Sequence, residues 1–127
     1  MKINHIAMYV LDLEKSKEFY MRYFGGTPNK MYYNHKTGLR TYFITFDGDV
    51  RLEIMTKPDN KNSNKPENMT GFTHLSFSVG SKEKVDELTK RLERDGYMVI
   101  GSPRTTGDGY YESVVLDNEG NRIEITE

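Results

Sequence analysis

Two histidines and two glutamates occupy matching places in the two halves of this 127-residue chain. The first half opens on His5-Ile6-Ala7-Met8-Tyr9-Val10 and closes on Arg51-Leu52-Glu53-Ile54. The second opens on His74-Leu75-Ser76-Phe77-Ser78-Val79 and closes on Arg122-Ile123-Glu124-Ile125. The histidines lie 69 residues apart and the glutamates 71, so the register is nearly kept. Neutral imidazole and carboxylate oxygen are competent ligands for Zn²⁺, Ni²⁺, Co²⁺, Mn²⁺ or Fe²⁺. Two carboxylates balance the charge of a dication, and four protein ligands on an octahedral ion leave two positions for water or substrate. The repeat raises each residue above its ordinary reading as a solvated strand side chain. His35, in Asn34-His35-Lys36-Thr37-Gly38, has no repeat partner and reads as a turn residue.

Strand parity decides whether such side chains share a face. Leu52 and Ile54 flank Glu53, and Ile123 and Ile125 flank Glu124, so each glutamate points away from its strand's apolar face. His5 and His74 likewise sit opposite the apolar members of their strands, Ile6, Met8 and Val10 in one, Leu75, Phe77 and Val79 in the other. Each opening strand leads into a helix. Asp12 caps the first, which runs to about Phe24 and stops at Gly25-Gly26, with Phe19, Tyr23 and Phe24 in its buried stripe. Ser81 caps the second, with Val85, Leu88 and Leu92 at helical spacing and Gly96 past its end. Extended segments follow at Thr27–Tyr33, Leu39–Phe46 and Val50–Met55, and again at Tyr97–Gly101, Tyr110–Leu116 and Arg122–Thr126. Asp47-Gly48-Asp49 and Asp117-Asn118-Glu119-Gly120 are turns between the last two strands of each half. Each half therefore reads β-α-β-β-β, an α+β pattern built by duplication. If the two sheets curl into one cup, the four residues converge inside it.

The size fits one domain over residues 1–127, with module one at about 1–56, a polar linker at about 57–71 and module two at about 72–127. Lys and Arg number 18 against 19 Asp and Glu, and no basic block stands out, which argues against nucleic acid and anionic membrane as partners. The absence of cysteine excludes disulfides, zinc thiolates and thiol nucleophiles, and accords with a cytoplasmic location. The apolar stretch Ile6–Leu11 ends at Asp12, too short for a signal segment or a membrane span.

These residues resemble the vicinal oxygen chelate superfamily, which includes glyoxalase I, bleomycin-resistance proteins, fosfomycin-resistance enzymes, methylmalonyl-CoA epimerase and extradiol dioxygenases. The resemblance runs over the whole chain and is carried by His5, the Asp117–Glu124 ending and the duplication. It implies two tandem βαβββ modules forming a curled mixed sheet cup, the glyoxalase/bleomycin resistance fold. It also implies one divalent ion per site (Ni²⁺, Zn²⁺ or Co²⁺) and a homodimer, with ligands from one chain or two. The His, Glu, His, Glu set of compact glyoxalase I carries over to His5, Glu53, His74 and Glu124. Epimerases usually have Gln where Glu53 stands, fosfomycin enzymes use two His and one Glu, and bleomycin-binding members lack the set. The implied reaction, that of a lactoylglutathione lyase, isomerises a methylglyoxal-type 2-oxoaldehyde–thiol hemithioacetal to a 2-hydroxyacyl thioester. Glu124 is the implied proton carrier, with Glu53 its partner.

Glutathione-using members commonly carry Arg four residues after the first ligand and Asn four after the second; here Tyr9 and Lys57 stand there, which leaves the thiol open. Lys57 or Arg104 would meet the thiol's carboxylates, with Tyr9 beside the first ligand. The segment Pro103–Tyr110 reads as a hairpin loop. Alternatives on the same fold are a thiol transferase acting on fosfomycin, an epimerase, or a non-catalytic protein that binds a small molecule or antibiotic.

Overall fold

The computed structural model describes residues 1–62, 65 and 70–127. The chain divides into two compact units, Met1–Ser63 and Asn64–Glu127. The linker reading for 57–71 falls partly on residues 63, 64 and 66–69, which lie outside the described residues.

The first unit runs β1 (His5–Tyr9), α1 (Leu13–Phe24), β2 (Thr27–Pro28), β3 (Tyr32–Tyr33), β4 (Arg40–Thr45) and β5 (Arg51–Thr56). Its sheet has the order β1-β5-β4-β2, with β3 also on β4; β1 and β5 are parallel and the other pairs antiparallel. The Asp12 carboxylate accepts the Lys15 amide at 3.0 Å and starts α1. Gly25, at φ 65°, ends it in a left-handed conformation that favours glycine. Phe19, Tyr20 and Tyr23 bury one helical stripe against Ile44, Leu52 and Ile54, all 7% exposed or less. At Gly26 a Cβ would come within 2.5 Å of Ile44 Cγ2, so only glycine lets the chain pass under the sheet there.

The second unit runs β6 (Leu75–Ser78), α2 (Lys82–Arg94), β7 (Val99–Thr105), β8 (Tyr111–Leu116) and β9 (Arg122–Thr126). Its sheet has the order β6-β9-β8-β7, again with only the first pair parallel. Ser81 caps α2 through its hydroxyl on the Lys84 amide. Val85 and Leu92 pack on Val115, Ile123 and Ile125, all fully buried. A polar pair within this layer is satisfied, the Thr89 and Ser113 hydroxyls meeting at 2.6 Å between α2 and β8. The architecture is thus mixed α+β, a five-stranded sheet in the first unit and a four-stranded sheet in the second, each backed by a helix. No described helix is long and apolar enough to cross a membrane.

Three local expectations need correction. The segment Thr27–Tyr33 is two short strands rather than one, because the Asn29 side chain takes the Phe43 amide that a continuing strand would bond through its backbone carbonyl. The Asn29 amide reaches the Phe43 carbonyl at 2.9 Å and its side chain accepts the Phe43 amide at 2.8 Å. The segment Tyr97–Gly101 enters its strand later, at Val99, since the Tyr97 amide still serves the helix end by bonding the Leu92 carbonyl. That strand continues to Thr105, with irregular register around Gly101. Pro103, Arg104 and Thr105 are therefore strand, and the turn is confined to Thr106–Tyr110, closed by the Thr106 amide on the Tyr110 carbonyl.

Candidate functional site

In the first unit, His5 lies opposite Arg51 and Ala7 opposite Glu53 across the parallel β1–β5 pair. Partners across a ladder share a face, and so do residues two apart on one strand. His5 and Glu53 are therefore diagonal neighbours on the face that α1 does not cover, with the small Ala7 beside them. The His5 Nε2 stands 3.6 Å from Glu53 Oε2. The remaining atoms of both groups are already engaged. His5 Nδ1 meets Asn4 Oδ1 at 2.9 Å, and the Thr41 hydroxyl lies 3.1 Å from both Glu53 Oε1 and the Ile54 carbonyl, its single proton shared between them. The His5 ring stands edge-on to Phe43, centroids 5.4 Å apart.

The second unit repeats this with different supports. Ser76 lies opposite Glu124 on the parallel β6–β9 pair, and His74 stands one residue before β6. His74 Nε2 is 3.4 Å from Glu124 Oε2. The Ser76 hydroxyl donates to Glu124 Oε1 at 2.6 Å, and the Thr73 hydroxyl meets His74 Nδ1 at 3.0 Å. In both units one ring nitrogen and one carboxylate oxygen are held, which turns the other nitrogen and oxygen toward each other. Such outer contacts are what orient metal ligands.

The donor geometry suits an ion. Donors bound at about 2.0–2.1 Å stand roughly 2.9 Å apart at octahedral and 3.4 Å apart at tetrahedral angles; the two pairs stand at 3.6 and 3.4 Å, so each would close by a few tenths of an ångström around an octahedral ion. Among the described residues no group of three or more His, Cys, Asp or Glu is gathered for a metal, so each unit presents a two-donor pair.

The sequence reading missed Glu112. On β8 it faces Thr126, two residues from the Val114–Glu124 partnership, as Thr41 faces Met55 two residues from Phe43–Glu53. Where Thr41 gives Glu53 a hydroxyl, Glu112 gives Glu124 a second carboxyl. Burial, then the charge of Glu124, holds Glu112 above the usual carboxylate value of 4.5, while Arg104 opposes the shift. The folded state thus binds this proton more tightly than the unfolded chain does. The resulting stabilisation is complete below the usual value and is lost as pH rises through the raised one. Metal-free Glu112→Gln, whose amide cannot ionise, is expected to melt above wild type at pH 7 and level with it at pH 4. Thermal melts at the two pH values check this. The only sequence signal for Glu112 is its alternation with the buried Ser113 and Val115.

Of the residues expected to meet substrate, Tyr9 and Lys57 come together. Tyr9 shares the His5 face, is 52% exposed and lies opposite Met55. The Lys57 ammonium stands 5.4 Å over its ring, and the Tyr9 phenol raises the lysine's affinity for its proton. Arg104 stands on the second unit's side of the proposed site, its Nη2 3.4 Å from Glu112 Oε1. His35 lies in a turn, its ring 4.3 Å from that of Tyr33.

Residues 2–125 match the Glyoxalase/Bleomycin resistance protein/Dioxygenase superfamily. The chain belongs to this superfamily. Members similar to it include the uncharacterized protein YqjT of Bacillus subtilis (strain 168), 28% identical over 97% of this chain and 96% of that protein. The glutathione transferase FosA of Serratia marcescens is 28% identical over 97% of this chain and 78% of its own length. A probable trivalent organoarsenical cleaving enzyme of B. subtilis is 29% identical over 98% of this chain and 79% of its own length. Among solved structures, a glyoxylase/bleomycin resistance protein/dioxygenase domain from Frankia sp. EAN1pec superposes with a TM-score of 0.83 at 19% identity, covering 99% of this chain and 96% of that one. The superfamily therefore accounts for the duplicated sheet and helix, while its named members differ in chemistry.

Proposed function

We propose that this protein is a metal-dependent isomerase of the glyoxalase I type, a lyase that converts a 2-oxoaldehyde–thiol hemithioacetal, as formed from methylglyoxal, into a 2-hydroxyacyl thioester. The observation that carries this reading is the duplicated pair, imidazole nitrogen and carboxylate oxygen facing each other at 3.6 and 3.4 Å with every other donor atom already held. In this reading His5, Glu53, His74 and Glu124 hold one divalent ion, for which Ni²⁺, Zn²⁺ and Co²⁺ are all suited by ligand type. The ion, when bound, supplies electrophilic polarisation of two adjacent substrate oxygens. Glu124, which would have to release the ion to act as a base, would take the proton from the carbon bearing sulfur and return it to the neighbouring carbon, while the hydroxyl proton passes to the neighbouring oxygen, so no atom or electron is gained or lost. Ser76 and Glu112 hold the Glu124 carboxylate while it exchanges that proton. Glu53, braced by Thr41, serves as its counterpart. Tyr9 and Lys57 flank the first pair and contact the thiol part of the adduct, Lys57 or Arg104 meeting its carboxylates. A homodimer acting on a small cytoplasmic metabolite completes the reading.

A second reading is favoured by the relatives. FosA and the organoarsenical enzyme align along nearly this whole chain, and Tyr9 and Lys57 replace the Arg and Asn of glutathione-using glyoxalases. Transfer of a thiol to an epoxide such as fosfomycin is the alternative. The test is turnover by protein loaded in turn with Ni²⁺, Co²⁺ and Zn²⁺, offered methylglyoxal with glutathione, cysteine and other small thiols. Thioester formation with at least one thiol is expected. No thioester with any of them, alongside consumption of fosfomycin and thiol, would replace the isomerase by the transferase.

A further inference from the structure

His5 is held by a device that His74 lacks. Asn4 Oδ1 stands 2.9 Å from His5 Nδ1 and accepts from Arg51 Nη2 at 2.7 Å. A guanidinium only donates, so the atom it touches must be an acceptor. An acceptor facing Nδ1 requires a proton on Nδ1, and in the neutral ring that leaves the lone pair on Nε2, the nitrogen that faces Glu53. Arg51 is itself fixed. It lies directly opposite His5 in the β1–β5 ladder, its amide bonds the Asn4 carbonyl at 3.2 Å, and its guanidinium lies 4.5 Å over the Phe43 ring. The same ring takes the His5 edge at 88°, so Phe43 seats both partners of Asn4. At His74 the corresponding contact is the Thr73 hydroxyl at 3.0 Å, which donates as readily as it accepts and so does not oppose the Glu124 carboxylate oxygen, 3.4 Å from Nε2, which favours a proton on Nε2 in the metal-free ring.

We propose that Asn4, anchored by Arg51, is a positioning residue that locks His5 as the Nδ1–H tautomer and so presents Nε2 as a metal ligand, whereas His74 has no such lock and gives up an Nε2 proton when a ligand binds there. The ligand role of His5 rests on the function proposed above; the tautomer itself does not. The two histidines are then unequal in a site whose ligand types are symmetric. The His5 side enters binding already arranged, and the His74 side pays for its arrangement on binding.

The experiment is ¹⁵N–¹H correlation of the imidazole rings in the metal-free 127-residue protein at pH 8, for wild type, Asn4→Ala and Asn4→Asp. Asn4 is exposed, so neither change disturbs a core. Wild-type His5 is expected as a single Nδ1–H tautomer and His74 mainly as Nε2–H. Asn4→Ala is expected to release His5 into a mixture without moving His74. Asn4→Asp, an acceptor only, is expected to restore the lock. Ni²⁺ titration of the same proteins is expected to show affinity lowered about 10–100-fold in Asn4→Ala and recovered in Asn4→Asp. Wild-type His5 found as the Nε2–H form, or a lock that survives Asn4→Ala, overturns the proposal. A lock that behaves as expected in a protein that binds no Ni²⁺ supports the positioning device and removes the ligand reading instead.

Discussion

Glu53→Ala is expected to abolish retained metal. After incubation with Ni²⁺, Co²⁺ or Zn²⁺ and thorough desalting, wild type should keep about one ion per chain by elemental mass spectrometry. The variant should keep almost none, its affinity lowered by well over the roughly 10–100-fold that follows from losing a mere outer contact. Glu53 is the informative position for two reasons. It is the ligand that separates the four-donor reading from the two-histidine, one-glutamate set of fosfomycin enzymes. Its removal also leaves the sheet intact, since its side chain faces away from α1 while Leu52 and Ile54 carry the core contacts. Metal retained undiminished by Glu53→Ala but lost in His74→Ala would favour the transferase. No metal retained by wild type would leave a binding protein on this fold.

Ile54→Ala should cost about 2–5 kcal/mol of stability, as large-to-small changes in a closed core do. Ile54 is fully buried beneath α1, on the same face as Leu52 two residues away and diagonal to Ile44, and its carbonyl receives the Thr41 hydroxyl, so there is little slack for collapse into the space left behind. Ile125→Ala should cost a similar amount, because Ile125 occupies the equivalent place on β9 beneath α2 and is equally buried. Urea unfolding of both variants in the absence of metal checks this; a loss below about 1 kcal/mol would mean that the core repacks around the vacancy. The contrast with Glu53→Ala is useful. One residue apart on β5, one change should remove metal with little loss of fold, and the other should weaken the fold first.

That contrast is legible in the amino-acid sequence, because alternation along a strand is a local property. Leu52, Glu53, Ile54 and Met55 state their own sidedness, and Ile123, Glu124 and Ile125 repeat it. The helix caps at Asp12 and Ser81 are local too, each depending on a side chain reaching an amide three residues away. Sequence and fold part company where a local signal meets a distant partner. Pro28 and Asn29 read as continuous strand, but Phe43 takes the Asn29 side chain in place of a ladder bond. Pro103 and Arg104 read as loop, but β8 pairs with the strand that contains them.

By itself, then, the sequence determined the duplication, the α+β order of elements, and the identity and sidedness of His5, Glu53, His74 and Glu124. Only the tertiary structure decided what supports each of them: Thr41 at Glu53, Ser76 and Glu112 at Glu124, Asn4 and Arg51 at His5, Thr73 at His74. The physical reason is that a period of two tells which face a side chain takes but not which strand lies beside it. Lateral neighbours depend on non-local pairing and its register. Thr41 and Glu112 occupy the same place in two ladders, yet one brings a hydroxyl and the other a carboxyl, a difference whose meaning appears only once each ladder is aligned.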